Sequence, residues 1–334
     1  GVWIMKSLVL GNGKAYTEEV PDPAPEKEWV IVRIESTPIC GSDKTAFLSA
    51  APVRDAGHEG SGIVVDSAGS TLLKKGDRVI LNPLSGCGAC ELCLTGNYIY
   101  CPDKPPFATH FAQFVKVQDF VCTVLPEDIS FDVGAMACCA LGPAFSSIKR
   151  MNLKAFDTLL VTGLGPVGMG AVCIAKFLGA RVIALDTVPF RKKMAADVLG
   201  ADVVFDAADP DVRVRIREAA RPGRLVRAID ASGNAAAERL CIDVIEPGGI
   251  ISFVGENHNE IPIRPSEDFI RKGLTLMGSW HCNLNDRAEM ITLLRRSPLV
   301  PKLITETFGF SRVQEAFEKF MGGDTCKVML KPWQ

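Results

Sequence analysis

The chain has 334 residues, enough for about two domains of roughly 150 residues each, so a large apolar core is available. Lysine and arginine number 37 against 39 for aspartate and glutamate, and this balance excludes the basic surface that a nucleic-acid-binding protein needs. No stretch of about 18 uncharged apolar residues occurs, which argues against a membrane-spanning helix. We therefore expect a globular protein whose partner is a small molecule, with neither nucleic acid nor membrane as a partner.

The amino-terminal part of the chain predicts a mostly β structure. Short runs of β-prone residues occur within 5–35, 60–81 and 111–125, and proline, glycine and aspartate interrupt them. No secretory signal peptide is recognisable, and the twelve cysteines fit a reducing compartment, so we expect a cytoplasmic location. Met5 is a candidate native start, with residues 1–4 an extension whose origin the sequence leaves open.

The middle of the chain alternates predicted strands and helices. An apolar β-prone run at 158–161 leads into a glycine turn, then a helical pattern that ends near Leu178, and then a second apolar run at 181–185. Alternating strands and helices predict a parallel sheet covered on both faces. The elements expected further along are helices at 189–199 and 235–245 and strands at 202–205, 225–230 and 249–254.

The carboxy-terminal segment is expected to return to the first domain. Ser311 and Gln314 form a capping-box pattern ahead of a helix, Gly322 follows as its stop, and a strand is expected at 326–331. The predicted class is α/β. The predicted domains are a first domain of 1–144 and 285–334, and an inserted domain of 145–284.

A glycine-rich turn between a predicted strand and helix indicates a dinucleotide site. Its glycines permit a tight turn, close approach of a pyrophosphate and close helix packing, and the helix N-terminus faces the anion. Asp186 ends the next strand, where a carboxylate can bind the ribose hydroxyls and repel a 2′-phosphate, so NAD is expected over NADP. Arg191 either lies along the ribose edge or is a solvated helix residue. The turn residues expected to bind the cofactor are Gly163, Gly165, Pro166, Val167 and Gly168.

Four cysteines at short spacing predict a metal site within one loop. They follow one another at steps of 3, 3 and 8 residues, and glycines lie among them. Four thiolates can close a tetrahedral zinc shell with no open position, so the expected site is structural. Its predicted ligands are Cys87, Cys90, Cys93 and Cys101.

Cys40 and His58 form a second candidate zinc pair. A thiolate and an imidazole both bind zinc, and Asp43 is a candidate for orienting the His58 ring through its other nitrogen. Glu59, which follows His58 directly, is a candidate catalytic residue. A catalytic zinc needs a third protein ligand and an open position for substrate.

These motifs, together with the segment 111–115, resemble the zinc-dependent medium-chain alcohol dehydrogenase and sorbitol dehydrogenase superfamily over essentially the whole chain. The resemblance implies a GroES-like, mostly β catalytic domain, an inserted Rossmann domain with a doubly wound parallel sheet, and NAD in the cleft between them. It places the third catalytic zinc ligand at Cys139, with Cys138, or a water or Glu59, as the alternatives. We also expect two zinc ions per chain and a homodimer or homotetramer.

The proton relay of that superfamily is altered in this chain. Many members carry a histidine five residues after the first cysteine ligand, and here Thr45 occupies that position. A threonine can pass a proton but is not a base near neutral pH, so Ser42 is the first candidate for the relay and Thr45 the second. His281 matches a family segment near the nicotinamide and is a candidate cofactor contact. His110 is expected to be an ordinary loop residue.

The motifs together predict NAD-dependent oxidation of a primary or secondary alcohol. Zinc acts in such a reaction as a Lewis acid that lowers the pKa of the hydroxyl, and the nicotinamide accepts the hydride. A polyol, sugar or aminocyclitol dehydrogenase is the alternative within the superfamily, because the block that begins at Cys40 looks more like the sorbitol branch. A catalytically inactive nucleotide-binding or structural protein is the alternative from another class.

Overall fold

The computed structural model describes residues 4–334, which form two compact units. One unit contains the chain up to Cys139 together with Asn283–Arg296 and Ile304–Gln334, and the other contains Ala140–Cys282 and Ser297–Leu303. Of the candidate amino-terminal extension, residues 1–3 lie outside the described residues.

The first unit is built on a seven-stranded sheet and a two-stranded ribbon. Its strands are β1 (Ile4–Gly11), β2 (Lys14–Pro21), β3 (Trp29–Pro38), β4 (Gly60–Asp66), β5 (Arg78–Leu81), β6 (Phe114–Gln118), β7 (Thr123–Val124), β14 (Ile304–Gly309) and β15 (Lys327–Lys331). The ribbon pairs β1 with β2, and the sheet has the order β14-β15-β3-β4-β5-β7, with β6 also paired to β3. Only β14 and β15 run parallel among these pairs. The mostly β character expected for this part of the chain is confirmed.

Short helices cover this sheet. They are α1 (Asp43–Leu48), α2 (Glu91–Leu94), α3 (Phe131–Ala135), α9 (Arg287–Arg296) and α10 (Val313–Met321). A π-helical turn, Ala137–Leu141, follows α3 and leads out of this unit.

The second unit is a parallel six-stranded sheet with helices packed against it. Its strands are β8 (Thr158–Thr162), β9 (Arg181–Asp186), β10 (Val203–Asp206), β11 (Arg227–Asp230), β12 (Ile250–Phe253) and β13 (Thr275–Gly278), in the order β10-β9-β8-β11-β12-β13. Its helices are α4 (Gly142–Arg150), α5 (Pro166–Phe177), α6 (Pro189–Lys193), α7 (Val212–Ala219) and α8 (Ala235–Val244). This strand order is that of the dinucleotide-binding Rossmann fold, so the predicted α/β class is confirmed.

The helix lengths bear on membrane insertion. The longest helix of residues 4–334, α5, has 12 residues. None of the helices in this described part of the chain is long and apolar enough to cross a bilayer.

The predicted elements of the second unit match the observed ones to within a few residues, but helix α4 and two further elements were not among the predictions. The helix expected at 189–199 is α6 followed by a π-helical turn, Met194–Val198. The sequence did not predict α7 or β13. The apolar face of α7 is narrow, with only Val212 and Ile216 buried, and β13 lies at the edge of the sheet without a fully buried residue, so neither has a strong hydrophobic pattern.

The unit boundaries differ from those expected at 144/145 and 284/285. The chain leaves the first unit after Cys139 and returns at Asn283. In addition, the segment 297–303, which was expected in the first domain, belongs to the second unit. Val300 and Leu303 are fully buried and the segment packs against α5, a contact that no local sequence pattern shows.

The predicted capping box at Ser311 and Gln314 is wrong. The residue at the N-cap of α10 is Arg312, and no side chain caps the helix there. Gln314 is engaged elsewhere, since its Oε1 accepts a hydrogen bond from the Ala15 backbone N–H at 2.7 Å and its Nε2 donates to the Gly13 carbonyl at 3.1 Å. The side chain therefore ties α10 to the turn between β1 and β2.

Phe317 lies at the centre of an aromatic cluster that joins the two ends of the chain within the first unit. Its ring stacks on Phe47 at a centroid distance of 5.1 Å and meets Phe111 edge to face at 6.1 Å. Phe317 is completely buried and packs among apolar side chains of β1, α1 and β15.

We predict that Phe317→Ala lowers the free energy of unfolding by about 3–5 kcal/mol, because it removes a large buried ring and leaves a cavity. Phe156→Ala is the matched control, since that ring is fully exposed. Denaturant unfolding of both variants checks this, and equal losses for the two would contradict it.

Candidate functional site

Four side chains with metal-binding chemistry converge within the first unit. The ligand atoms of Cys40, His58, Glu59 and Cys139 all lie within 4.8 Å of one another. Cys40 follows β3, His58 and Glu59 precede β4, and Cys139 lies in the π-helical turn after α3. The Sγ atoms of Cys40 and Cys139 are 3.5 Å apart. The structure therefore brings together residues that are up to 99 positions apart in the sequence.

The π-helical turn determines which of two adjacent cysteines enters this metal cluster. Successive side chains of a helical turn point in clearly different directions, so only one of the two thiols faces the cluster. Cys139 faces it, whereas the Cys138 thiol donates a hydrogen bond to Oδ1 of Asn82 at 2.7 Å.

The pKa shifts in the cluster indicate that its thiols and imidazole compete for protons. The hydrogen bond from Cys139 holds the pKa of the Cys40 thiol well below its ordinary value and raises that of Cys139. Burial alone would lower the pKa of His58, but the hydrogen bond with Cys40 and the negative charges of Cys40, Asp43 and Glu59 together raise the pKa to about 9. Two thiols and an imidazole that compete for protons in a buried site are a donor set that a zinc ion satisfies by replacing those protons.

Asp43 anchors the segments that carry two of these ligands. Its Oδ2 accepts a hydrogen bond from the Cys40 backbone N–H at 2.8 Å, and its Oδ1 accepts one from Gly57 at 3.4 Å. The Nδ1 atom of His58 lies 4.0 Å from Oδ1, beyond hydrogen-bond distance. Asp43 is buried, and this burial raises its pKa to about 6. In this structure Asp43 orients the backbone around the cluster rather than the ring of His58 directly.

Lys327 is a functional candidate that the sequence analysis missed. Its Nζ donates to Oε1 of Glu59 at 2.5 Å and to the Ile39 carbonyl at 3.2 Å, and both charged side chains are completely buried. The only sequence signal is a lysine at the start of the otherwise apolar run 327–330. Burial raises the pKa of Glu59 to about 7, and the Lys327 ammonium opposes this shift.

The hydrogen bonding of the second carboxylate oxygen of Glu59 indicates whether a cation fits in the cluster. Oε2 is buried and has no hydrogen-bond partner among the described residues. An unpaired buried carboxylate oxygen is costly unless a proton or a cation satisfies it. Because Glu59 belongs to the same cluster as the two thiols, the site fits a zinc ion.

The proposed relay residues lie on the surface beside this cluster. Ser42 is two residues from Cys40 and precedes α1, and Thr45 lies in the first turn of that helix. Both side chains are exposed, and the Thr45 backbone N–H donates to the Ser42 carbonyl at 3.2 Å. Either hydroxyl can therefore exchange protons with solvent.

The four-cysteine loop also forms a closed cluster. The Sγ atoms of Cys87, Cys90, Cys93 and Cys101 lie within 4.8 Å of one another. Backbone N–H groups donate to two of these sulfurs, from Cys87 to Cys101 and from Cys90 to Cys87, each at 3.3 Å. Hydrogen bonds from the Ala89 and Cys90 backbone lower the pKa of the exposed Cys87 thiol to about 6. This donor set fits a structural zinc.

The predicted glycine turn joins β8 to α5 in the second unit. Gly163 has a positive φ of 82°, and a Cβ there would lie 2.6 Å from Ser232. A side chain on Gly168 would collide with the Gly163 carbonyl. Gly165 is the N-cap of α5 and faces open space, so the helix N-terminus is accessible to a phosphate, with Pro166 and Val167 as the first helical residues.

Asp186 is tied to this glycine turn. Its Oδ2 accepts a hydrogen bond from the Leu164 N–H at 2.6 Å, and its Oδ1 accepts one from Val188 at 2.8 Å. Each carboxylate oxygen has a second lone pair, so both remain able to accept from a ribose. The guanidinium of Arg191 lies 3.8 Å from Oδ2 and thus on the same side of the turn.

The remaining predicted site residues differ in burial from expectation. His281 is buried and has a φ of +56°, a left-handed conformation that is uncommon for a residue other than glycine. His110 lies in a loop, as expected, but its side chain is only 1% exposed. The sequence around His110 contains no pattern that distinguishes a buried histidine from an exposed one.

Comparisons with known proteins place the chain in a family. Residues 26–127 match the alcohol dehydrogenase GroES-like domain, and residues 166–296 match the zinc-binding dehydrogenase domain. An uncharacterized zinc-type alcohol dehydrogenase-like protein of Escherichia coli K12, YphC, is 30% identical over 98% of each chain. A probable D-xylulose reductase A of Aspergillus clavatus is 32% identical over 90% of this chain and 88% of its own.

A solved structure shows the same fold. The alcohol dehydrogenase of Escherichia coli CFT073, complexed with NADH, has a TM-score of 0.88 at 24% identity, and the match covers 99% of this chain and 100% of its own. The chain belongs to the zinc-binding alcohol dehydrogenase family. It is therefore a zinc oxidoreductase with a small-molecule substrate, and the expected GroES-like and Rossmann folds are confirmed.

We predict that Cys139→Ala removes one of two zinc ions per chain and abolishes most alcohol oxidation, because the cluster loses one of its two thiolates. Cys138→Ala is the control, since its thiol faces Asn82. Metal analysis and steady-state rates of both purified variants check this. Zinc loss in Cys138→Ala with retention in Cys139→Ala would show that the ligand is the neighbouring cysteine.

We predict that Lys327→Met destabilises the protein by about 3–5 kcal/mol, because it leaves a buried carboxylate without its counter-ion. The double variant Lys327→Met with Glu59→Gln should recover part of this loss, since it buries no unpaired charge. Denaturant unfolding of the unmodified protein, of the two single variants and of the double variant gives a double-mutant cycle. Strictly additive losses would show that the two side chains do not interact energetically.

Proposed function

We propose that the chain is an NAD-dependent dehydrogenase that oxidises a primary or secondary alcohol at the cluster of Cys40, His58 and Cys139. The observation that carries this proposal is the convergence of two thiols and an imidazole around one point in a buried site. Three protein ligands are the number that a catalytic zinc uses when its fourth position stays open for substrate.

The ligand charges suit this chemistry. Two thiolates and a neutral imidazole balance the charge of Zn²⁺, and Lys327 balances Glu59. Zinc bound there would act as a Lewis acid that lowers the pKa of the substrate hydroxyl. Glu59 is the nearest further oxygen donor in the cluster.

The proton of the alcohol needs a route to water. Ser42 is our first candidate for that transfer, because its exposed hydroxyl follows Cys40 by two residues. Thr45 is a second relay member one turn further along the chain. Neither hydroxyl is a base near neutral pH, so each acts by accepting one proton and donating another.

The hydride acceptor in this proposal is NAD, whose nicotinamide supplies the redox chemistry. Gly163, Gly165, Pro166, Val167 and Gly168 would hold the pyrophosphate, and Asp186 would bind the adenosine ribose with Arg191 at its edge. The NADH complex of the E. coli CFT073 enzyme supports this choice of cofactor. His281 is proposed as a contact of the nicotinamide.

The remaining expectations are also proposals. A second, structural zinc would be held by the four-cysteine loop, which makes two zinc ions per chain. We further propose that the enzyme is cytoplasmic, and that it is a homodimer or homotetramer. The twelve cysteines all lie in the described part of the chain and none forms a disulfide there, which supports a reducing compartment.

A polyol substrate is the second candidate. It is supported by the probable D-xylulose reductase A of Aspergillus clavatus, whose name describes a sugar–polyol conversion and which is 32% identical to this chain. Cys139 provides the counterargument, because polyol dehydrogenases of the superfamily commonly carry a glutamate as third ligand.

The proposed function is tested with zinc-loaded protein by following NADH absorbance in the presence of simple primary and secondary alcohols, polyols and sugars. Oxidation of simple alcohols with the higher kcat/KM supports the first candidate, and oxidation of polyols alone supports the second. Two zinc ions per chain with no activity on any of these classes, in either direction, would overturn both.

We predict that Asp186→Ala reduces the preference for NAD over NADP by roughly 10- to 100-fold in kcat/KM, since hydrogen bonds to a charged group contribute about 1.5–3 kcal/mol. The variant also removes the like charge that opposes a 2′-phosphate. A second variant, Asp186→Asn, removes the charge but keeps an oxygen that can accept the hydrogen bond from the Leu164 N–H. Asp197→Ala, at an exposed position, is the control for loss of a negative charge elsewhere. Equal use of both cofactors by the unmodified protein would contradict this prediction.

A further inference from the structure

His110 is a buried histidine beside the metal cluster that the proposed function leaves without a role. Its side chain is 1% exposed, and its Nδ1 has no hydrogen-bond partner among residues 4–334. Burial, together with the nearby charge on His58, lowers the pKa of His110 to about 3, against a smaller opposing effect of the Glu59 backbone.

The backbone on both sides of His110 is hydrogen-bonded to the segment that carries the metal ligands. The His110 N–H donates to the Gly57 carbonyl at 2.9 Å, and the Thr109 hydroxyl donates to the Ala56 carbonyl. The Phe111 N–H in turn donates to the Thr109 hydroxyl at 3.0 Å. The strip 109–111 thus lies along the residues that precede His58.

Two glycines show how closely this strip packs. Gly57 has a φ of +82°, and a side chain there would collide with the Phe111 ring. A Cβ on Gly60 would lie 3.6 Å from Nδ1 of His110, which is ordinary van der Waals distance, so the imidazole lies directly beside that glycine. Glycine at position 57 leaves room for the Phe111 ring, and the His110 ring packs against the other end of the segment.

Other side chains also hold this segment. The Thr37 hydroxyl donates to the Glu59 carbonyl at 2.7 Å, and Asp43 accepts from the Gly57 N–H. The backbone at both metal-cluster residues is therefore restrained, and His110 is the ring that packs against Gly60, next to Glu59.

We propose that His110 is a positioning residue, whose buried ring fixes the Gly57–Gly60 segment and thereby the directions of the His58 and Glu59 side chains toward the metal. It touches neither the substrate nor the cofactor in this role. The inference rests on the proposed function, since it presupposes a zinc ion at Cys40, His58 and Cys139.

The test compares His110→Ala with His110→Gln, and uses the exposed His258→Ala as the matched control. Zinc release from each holoenzyme to a chromophoric chelator is followed in time, and the Cys139→Ala variant identifies which kinetic phase belongs to the cluster. Changes in the groups that orient metal ligands cost about 10- to 100-fold in metal affinity, so we expect cluster zinc to leave at least about tenfold faster from His110→Ala. Release from the four-cysteine loop should not change, and His110→Gln should restore part of the retention.

A second readout separates positioning from ordinary stability. Cobalt substituted for zinc reports ligand geometry through its visible bands, and these should shift in His110→Ala but not in His258→Ala. If His110→Ala only lowers the melting temperature, with unchanged cluster-zinc release and an unchanged cobalt spectrum, the residue is structural and the inference is wrong. If the unmodified protein shows no cluster phase at all, the proposed metal site itself fails.

Discussion

The buried ion pair between Glu59 and Lys327 is the interaction on which the metal cluster depends. Both side chains are completely buried, and the two residues are 268 positions apart in the sequence. Lys327 reaches Glu59 because β15 pairs with β3 in the sheet, which places the carboxy-terminal strand next to the end of β3 and Cys40. The carboxy-terminal segment thus contributes a residue to the site.

Charge balance also explains the donor set. A buried site cannot hold two thiolates and a carboxylate unless cations offset them, because desolvating isolated charges is too costly. Lys327 offsets the carboxylate, and the remaining two thiols compete with the imidazole for protons. A divalent metal resolves this competition. The same reasoning accounts for the orphaned oxygen of Glu59, which is satisfied only when a cation or a proton is present.

In the second unit, backbone conformation rather than buried charge determines the shape of the predicted nucleotide site. Asp230 is fully buried and accepts hydrogen bonds from Thr162, Ser232 and Gly233, which shapes the loop that packs against Gly163. Asp186 restrains the same turn through the Leu164 N–H. The carboxylates at the ends of β9 and β11 therefore both restrain the glycine turn between β8 and α5. The glycine turn is a local motif, but its rigidity comes from neighbouring strands.

The sequence by itself determined what depends on local spacing: the glycine turn, the four-cysteine loop and the alternation of strands and helices in the second unit. It also indicated Cys40 and His58, and the family resemblance placed the third ligand at Cys139, with Cys138 as one alternative. Only the tertiary structure decided that Cys139 rather than Cys138 faces the cluster. It also showed that Lys327 pairs with Glu59, that His110 is buried and that Gln314 is hydrogen-bonded to the β1–β2 turn. The physical reason is that each of these depends on contacts between residues far apart in the chain, and such contacts leave no periodic or spaced pattern in the sequence.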